Sequence, residues 1–404
     1  MNSRRTASFI VARWLATHEF PNELLPQQGE DRGFVQDLVY TVVRRFRPLR
    51  TVLGDLMKTW PKGELEALVL VGAAQILYMP DVPDFAAVNE TVAAAKMSGR
   101  DKRLDRVVNG VLRNLIRRRG EFEAMLAAAP LAERESFPNA LVGRWVSRYG
   151  EANAEALALW HNRPAETWLS FPPRAELGAP EDWERERCGH FIRLARGRKV
   201  TEIAGFDHGA FVVQDPATNG AIELLDVKPG LTVLDFCAAP GGKTAQIAWR
   251  LGGGGLIAQE VNPRRMKRLQ TNLRRLGLDW VQVVPSVVEE CVPAGGFDRV
   301  LVDAPCSNTG VLRRRPDARW RWDAEHLRQL VGLQAEILAA AAPLVAPGGL
   351  LVYSTCSNEP EENSDQISAF LSEHADFVEV RRHESIPFES GHDGAFACAL
   401  RRGE

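Results

Sequence analysis

The sequence predicts a multidomain protein: an all-α N-terminal domain, a small α+β intermediate domain and a C-terminal α/β domain. Three observations carry that prediction. At 404 residues the chain is too long for one hydrophobic core. Up to about residue 120 its apolar residues recur at helical spacing, and from about Gly205 short apolar runs alternate with helical ones. The boundaries drawn on this basis are 1–125, 126–205 and 206–404.

Bulk properties exclude several classes. Hydrophobic content of 45% and charged content of 25% are ordinary for a globular protein. No apolar run approaches the ~20 residues of a membrane span, and Met1 to Phe9 lacks the apolar stretch of a signal peptide. The six cysteines are scattered, with no C-x-x-C, and the eight histidines show no ligand spacing. A reducing, cytoplasmic setting without a metal or a membrane is therefore expected. The net charge of −2 conceals an asymmetry, because residues 1–120 hold 19 Lys+Arg against 13 Asp+Glu. That excess suits a nucleic-acid partner, although a solvated helix face would look the same.

In the first domain the clearest helix runs from Asp101 to Arg119, with Leu104, Val108, Val111, Leu112 and Leu115 on one face. Arg113, Arg117, Arg118 and Arg119 gather at its end, where cations suit the helix dipole, and Gly120 is read as its stop. A helix beginning near Phe85 carries Val88, Val92 and Ala95, after a turn marked by Pro80 and Pro83. In the intermediate region Ser136-Phe137-Pro138 introduces a helix with Trp145 and Tyr149, ending at Gly150. Pro164, Pro172, Pro173 and Pro180 then break the chain into loops.

In the last domain, 231–236, 255–261, 280–284, 297–302 and 349–353 read as buried strands. Helical runs at 243–251, 263–276 and 326–344 separate them. The alternation predicts a mainly parallel sheet covered on both faces, with ligands at the C-terminal strand ends.

The strand Thr232 to Phe236 runs into Cys237-Ala238-Ala239-Pro240-Gly241-Gly242-Lys243-Thr244, and a helix follows. Small residues there let the backbone approach a ligand, and the helix start offers free N–H groups. A phosphate-binding P-loop would need glycine where Cys237 stands. Glu260 ends the next strand, about where an acid bonds a ribose hydroxyl pair. Together these features specify an adenosine-type cofactor, and a nicotinamide dinucleotide would give similar spacing.

Two cysteines lie on the same predicted edge. Asp303-Ala304-Pro305-Cys306-Ser307 follows one strand, and Tyr353-Ser354-Thr355-Cys356-Ser357 follows another. One such cysteine is usually a small core residue. A pair, both beside hydroxyls and one three residues after an Asp, suits covalent methylation of a pyrimidine. C5 of cytosine is too electron-poor to take a methyl group from a sulfonium unaided, and a thiolate adding at C6 makes it nucleophilic. A second thiol can then remove the C5 proton, while Asp303 can hydrogen-bond N3. Either thiol needs its pKa lowered from ~8.5.

These segments resemble the RNA cytosine-5 methyltransferases of the Sun/NOL/Nop family. The resemblance rests on VLDFCAAPGGKT at 233–244, FDRVLVDAPCSNTGVLRRRP at 297–316, PGGLLVYSTCSNEPEEN at 347–363 and the closing DGAFACALRR at 393–402. It implies a Rossmann-like methyltransferase domain that uses S-adenosyl-L-methionine. By the same resemblance Cys356 is the nucleophile and Cys306 the residue that releases product. Cys237, Ala238, Ala239, Pro240, Gly241, Gly242, Lys243, Glu260, Ser286 and Asp303 would line the cofactor site. The segments AVNETVAAAK at 87–96 and VVNGVLRNLIRR at 107–118 resemble the RNA-binding NusB fold, which turns the expected substrate toward 16S rRNA.

The chain also departs from the family. Glu260 replaces an Asp, Ser286 stands near the place of a second Asp, and Asn308 replaces a Gly. The intermediate region reads TWLSFPP at 167–173 in place of the usual L-R-V-N run. Arg313, Arg314 and Arg315 are candidate phosphate contacts. Two alternatives stay open: a non-catalytic RNA-binding or ribosome-assembly protein, and the same chemistry on tRNA. No exposed heptad appears, so a monomer is expected.

Overall fold

The protein is described by a computed structural model that covers residues 2–17, 21–26, 31–97, 103–179 and 181–404. Met1, Asp101 and Pro180 lie outside the described residues. The chain forms two compact units, one of Met1–Arg163 with Leu312–Asp323, the other of Pro164–Val311 with Ala324–Glu404. The boundaries at 125 and 205 do not coincide with these units. Residues 126–163 pack with the N-terminal helices, and the rest of the intermediate stretch forms a small sheet within the second unit.

In the first unit the helix Glu64–Tyr78 is buried almost all round, from Ala67 to Ile76, so it occupies the centre of its core. Gly72 permits the helix Leu104–Arg117 to approach, because a Cβ there would lie 2.4 Å from Leu112 Cδ1. That second helix buries Val108, Leu112 and Leu115 and leaves Arg106, Arg113 and Arg117 exposed. It ends at Arg117, not at Gly120, which lies inside the next helix Arg119–Ala127. Gly120 lacks the positive φ of a helix stop, and Arg118, between the two helices, pairs with Asp55 of the helix Phe46–Leu56 and with Glu121 of the helix Arg119–Ala127.

The segment 312–323 is a working part of this unit. Arg319 is fully buried and donates to Asn162 Oδ1 at 3.0 Å and to the carbonyls of Ser136, Arg44 and His161. Its guanidinium also stacks 3.9 Å from the Phe137 ring centroid. Trp320 closes an edge-to-face row with Phe46 and Trp14. Arg313 is buried 4.2 Å from the Trp160 ring centroid, which overturns its reading as a phosphate contact. An arginine run in a loop looks solvated in sequence, but here the Trp160 face takes the Arg313 guanidinium, while Arg315 stays exposed.

The second unit holds two sheets among its described residues. The smaller has four antiparallel strands, β1 (Trp168–Ser170), β2 (Glu184–Cys188), β3 (Phe191–Leu194) and β4 (Val212–Val213), in the order β2-β3-β1-β4. Leu169, Trp183, Ile192, Leu194, Ile203 and Phe211 form its core.

The larger sheet comprises β5 (Val233–Asp235), β6 (Leu256–Gln259), β7 (Gln282–Val284), β8 (Phe297–Asp303), β9 (Val345–Thr355), β10 (Phe377–Ser385) and β11 (Ala395–Arg402). Its order is β10-β11-β9-β8-β5-β6-β7, parallel from β9 to β7, with β10 and β11 antiparallel. Helices Gly242–Leu251, Pro263–Arg275 and Ala324–Ala341 follow β5, β6 and β8. This is the Rossmann-like α/β domain expected from the alternation. β10 escapes a periodicity reading because it is an edge strand, exposed at every residue between Phe377 and Ser385. Chain order reverses direction on either side of β5, so a crevice opens at the C-terminal ends of β5 and its neighbours.

Candidate active site

Each predicted site residue follows a strand of the larger sheet. The loop 237–241 follows β5, Glu260 follows β6, Ser286 lies two residues beyond β7, Asp303 ends β8 and Cys356 follows β9. One sheet edge therefore collects residues that lie up to 119 positions apart in the chain.

After β5 the Ala239–Pro240 bond is cis and Gly241 takes φ +103°. That φ is one L side chains rarely adopt, and a Cβ on Gly241 would also press on Leu269 Cδ1 at 2.8 Å, so the turn favours glycine. The loop borders a cleft of about 500 Å³ lined by Val213, Gln214 and Asp235, by Cys237 to Pro240, and by Gly242, Lys243 and Asp303. Gly241, Glu260 and Ser286 do not line it. Glu260 is buried, accepting from the Asn262 N–H at 2.9 Å and lying 3.3 Å from Arg265 Nε, whereas Ser286 is exposed.

Asp235 accepts a 2.6 Å bond from Thr244 Oγ1, while its other oxygen has no partner among the described residues. Burial pushes its carboxyl up to about 7, with the Thr244 bond acting in the opposite direction. Gln214 Oε1 is likewise buried without a partner. Burial also pushes the Cys237 thiol up to about 12, so this cysteine is a poor nucleophile.

Lys243 donates to Asp303 Oδ2 at 2.8 Å, and Ser354 donates to Asp303 Oδ1 at 2.9 Å. Burial works against the Lys243 ammonium, but the charge and hydrogen bond of Asp303 outweigh it and hold its pKa above the ordinary value. Lys243 also lines a second cleft, of about 390 Å³, together with Ser354, Thr355 and Cys356 and with Asp215, His383 and Asp393. One cation thus borders both clefts.

The two cysteine sulfurs lie 3.3 Å apart. Cys306 is buried, and the hydrogen bond to Cys356, burial and the nearby Glu362 charge all push its thiol well above the ordinary range. Asn308 donates to the Cys306 carbonyl at 2.7 Å, and its Oδ1 lies 3.4 Å from Cys356 Sγ as acceptor. Its φ of +61° accounts for the glycine expected there, and Asn is among the few other residues that adopt such a φ readily.

Sequence reasoning missed Glu362. Its fully buried carboxylate accepts from Ser307 N at 2.8 Å, Ser307 Oγ at 2.5 Å, Gln334 Nε2 at 3.0 Å and Ser357 Oγ. Ser307 and Ser357 are the residues after the two cysteines, so one carboxylate ties both loops together. The signal available in sequence was the hydroxyl beside each cysteine; the shared partner was not visible. Among the described residues no group of His, Cys, Asp and Glu is placed to hold a metal ion, and no helix is long and apolar enough to cross a membrane.

Residues 222–396 match the family model for the 16S rRNA methyltransferase RsmB/F, and residues 1–117 match the NusB family. A ribosomal RNA small subunit methyltransferase B from Serratia proteamaculans is 33% identical over 99% of this chain and 98% of that protein. Its counterpart from Enterobacter sp. is 35% identical over 92% and 90%. Among solved structures, PH0851 aligns over 100% of this chain and 99% of its own, with a TM-score of 0.79 and 23% identity. A methyltransferase homologue from Pyrococcus horikoshii aligns over 67% and 97%, with a TM-score of 0.57 and 24% identity. At these identities the structural likenesses establish the fold.

Proposed function

The chain belongs to the 16S rRNA methyltransferase RsmB/F family, and on that premise we propose that it methylates C5 of a cytosine in 16S rRNA through a covalent bond from Cys356 to C6. The observation that carries this reading is the pair of sulfurs 3.3 Å apart beside a cleft that also holds Lys243.

S-adenosyl-L-methionine fits the cleft after β5. Two buried acceptors without partners, Asp235 Oδ1 and Gln214 Oε1, border it and suit an α-ammonium group. Cys237 to Lys243 would hold the cofactor with Asp303, while Glu260 would bond the ribose and Ser286 would stand toward the adenine. One Glu260 oxygen already accepts from Asn262 and the other pairs with Arg265, and each keeps a lone pair for a ribose hydroxyl. The cofactor, when bound, supplies an electrophilic methyl sulfonium.

The cleft beside Cys356 would take the target cytosine, turned out of its stack. The Lys243 ammonium lines this cleft beside Cys356, whose sulfur gives up its proton to Asp303 as it adds to C6 and pushes electron density onto C5. Asp303, oriented by Lys243 and Ser354, passes that proton to N3 as charge builds there. Once C5 carries the methyl group, Cys306, having given its own thiol proton to solvent, takes the C5 proton as a thiolate. The electron pair left behind re-forms the C5–C6 double bond and expels Cys356. The hydrogen bond to Cys356 and burial hold the Cys306 thiol above the ordinary range, and bonding Cys356 to C6 removes that hydrogen bond before Cys306 acts as a base.

In this reading residues 1–125 serve as the RNA-binding domain, 126–205 as an intermediate RNA-contacting region and 206–404 as the catalytic domain, acting as a cytoplasmic monomer without a metal. The test is incubation of Cys306→Ala with S-adenosylmethionine and small-subunit rRNA. The expected product is an RNA–protein adduct on a denaturing gel, lost when Cys356 is also replaced. Wild type that places no methyl on this RNA, with no adduct in Cys306→Ala, would remove the 16S assignment.

A further inference from the structure

The helix Pro263–Arg275 carries six Lys and Arg residues and no acidic residue, in a chain whose net charge is −2. Leu269 and Leu273 are its buried face. Through that face and Asn272, whose Nδ2 donates to the Pro240 carbonyl at 2.7 Å, it is fastened to the cofactor loop. On the opposite face Arg264 is followed by Lys267 and Arg268 at three- and four-residue spacing, and Arg274 lies two turns beyond Lys267, all exposed.

Elementary helix electrostatics disfavours this arrangement. Arg264 and Arg265 sit in the first turn, at the positive end of the helix dipole, where acids are stabilising and cations are not. A merely solvated helix would interleave acids to neutralise its own repulsion. Arg265 and Arg275 have internal tasks, bonding Ala239 and Glu260, and Phe206 and Phe211, respectively. Arg274 has only a 3.9 Å approach to Asp279. Among the described residues the side chains of Arg264, Lys267 and Arg268 have no hydrogen-bond or ion-pair partner.

We propose that this cationic stripe is a phosphate-backbone contact for the substrate RNA, holding the strand beside the cofactor cleft while a base enters the Cys356 pocket. A lipid surface is the poorer match, because a membrane-lying helix needs a free apolar face and this helix has buried its own. The stripe runs about 15 Å from Arg264 to Arg274 at 1.5 Å per residue, long enough to follow a strand past the cofactor loop. The inference rests on the RNA-methylating reading above and adds to it a surface in the catalytic unit, separate from the NusB-like helices.

The test compares wild type with Arg264→Gln/Lys267→Gln/Arg268→Gln, measuring binding to transcribed 16S rRNA across a series of KCl concentrations. Losing three phosphate contacts should lower the slope of log K against log salt by about 2 to 3. Affinity at low salt should fall at least tenfold, with S-adenosylmethionine binding within twofold of wild type. The charge-preserving Arg264→Lys/Arg268→Lys variant should keep the wild-type slope. A triple variant with the wild-type slope overturns this surface alone. Wild type that fails to bind the transcript at all overturns the RNA reading, and the surface with it.

Discussion

Glu362 ties together the two loops of the proposed reaction centre, since its one carboxylate accepts from both Ser307 and Ser357. Glu362→Gln would aim an amide N–H₂ at groups that are themselves donors. Leaving buried donors unmatched should cost about 2–3 kcal/mol and several degrees of melting temperature. Methylation should fall more than tenfold with cofactor affinity within twofold of wild type. Unchanged melting and turnover together would mean that the clamp is dispensable. Asp235 makes a pH prediction. Its folded carboxyl titrates near 7, against ~3.9 in the unfolded chain, so between those values only the folded state keeps the proton. This group's contribution to stability is greatest below pH 4, falls as pH rises and levels off above 7, the full loss being at most on the order of 4 kcal/mol. Asp235→Asn should flatten that part of the stability profile in urea unfolding at pH 5 and 7.5. A pH dependence identical to wild type would show that Asp235 ionises normally in the fold.

At the scale of elements, the cysteine loops and the closing hairpin meet at two glycines. Gly310 donates to the Cys356 carbonyl at 3.0 Å and accepts from Gly394 N at 2.8 Å. A Cβ on Gly310 would lie 2.7 Å from the Gly394 carbonyl oxygen, which is backbone and cannot swing away. Gly310→Ala should therefore displace the Cys306 loop, at a cost of about 1–3 kcal/mol for overpacking. Turnover should drop at least tenfold, read by methyl incorporation, while cofactor binding is retained. Wild-type turnover in Gly310→Ala would mean that the loop can yield without moving Cys306. The glycine pair was not legible beforehand, because Gly310 and Gly394 stand 84 residues apart. The strand-to-loop junctions were legible, because each strand's apolar run and the small or polar residues that end it are contiguous.

At the scale of the whole molecule, the first unit takes in residues 312–323 from the catalytic half of the sequence. Arg319 is the anchor of that segment, and its burial depends on four acceptors supplied by that unit. Arg319→Met would leave those neutral acceptors without their donor, a loss of roughly 1–3 kcal/mol. The expected result is a lower calorimetric transition and faster hydrogen exchange in the helices Asn139–Tyr149 and Glu151–Asn162. Exchange at the wild-type rate there would show that the segment is not needed to hold those helices.

The sequence by itself determined the local pattern: the small-residue turn after β5, both cysteines with their hydroxyl neighbours, Asp303 at a strand end and the alternation that builds the parallel sheet. Each is written in residues close together in the chain, where spacing and small side chains already limit the backbone. Tertiary structure alone decided that the thiols of residues 50 positions apart stand 3.3 Å from each other, that Glu362 ties their loops together, and that Arg313 is buried against Trp160. Those outcomes depend on which distant groups share one dry volume, because a buried donor or charge must be matched by whatever partner the packed fold brings to it.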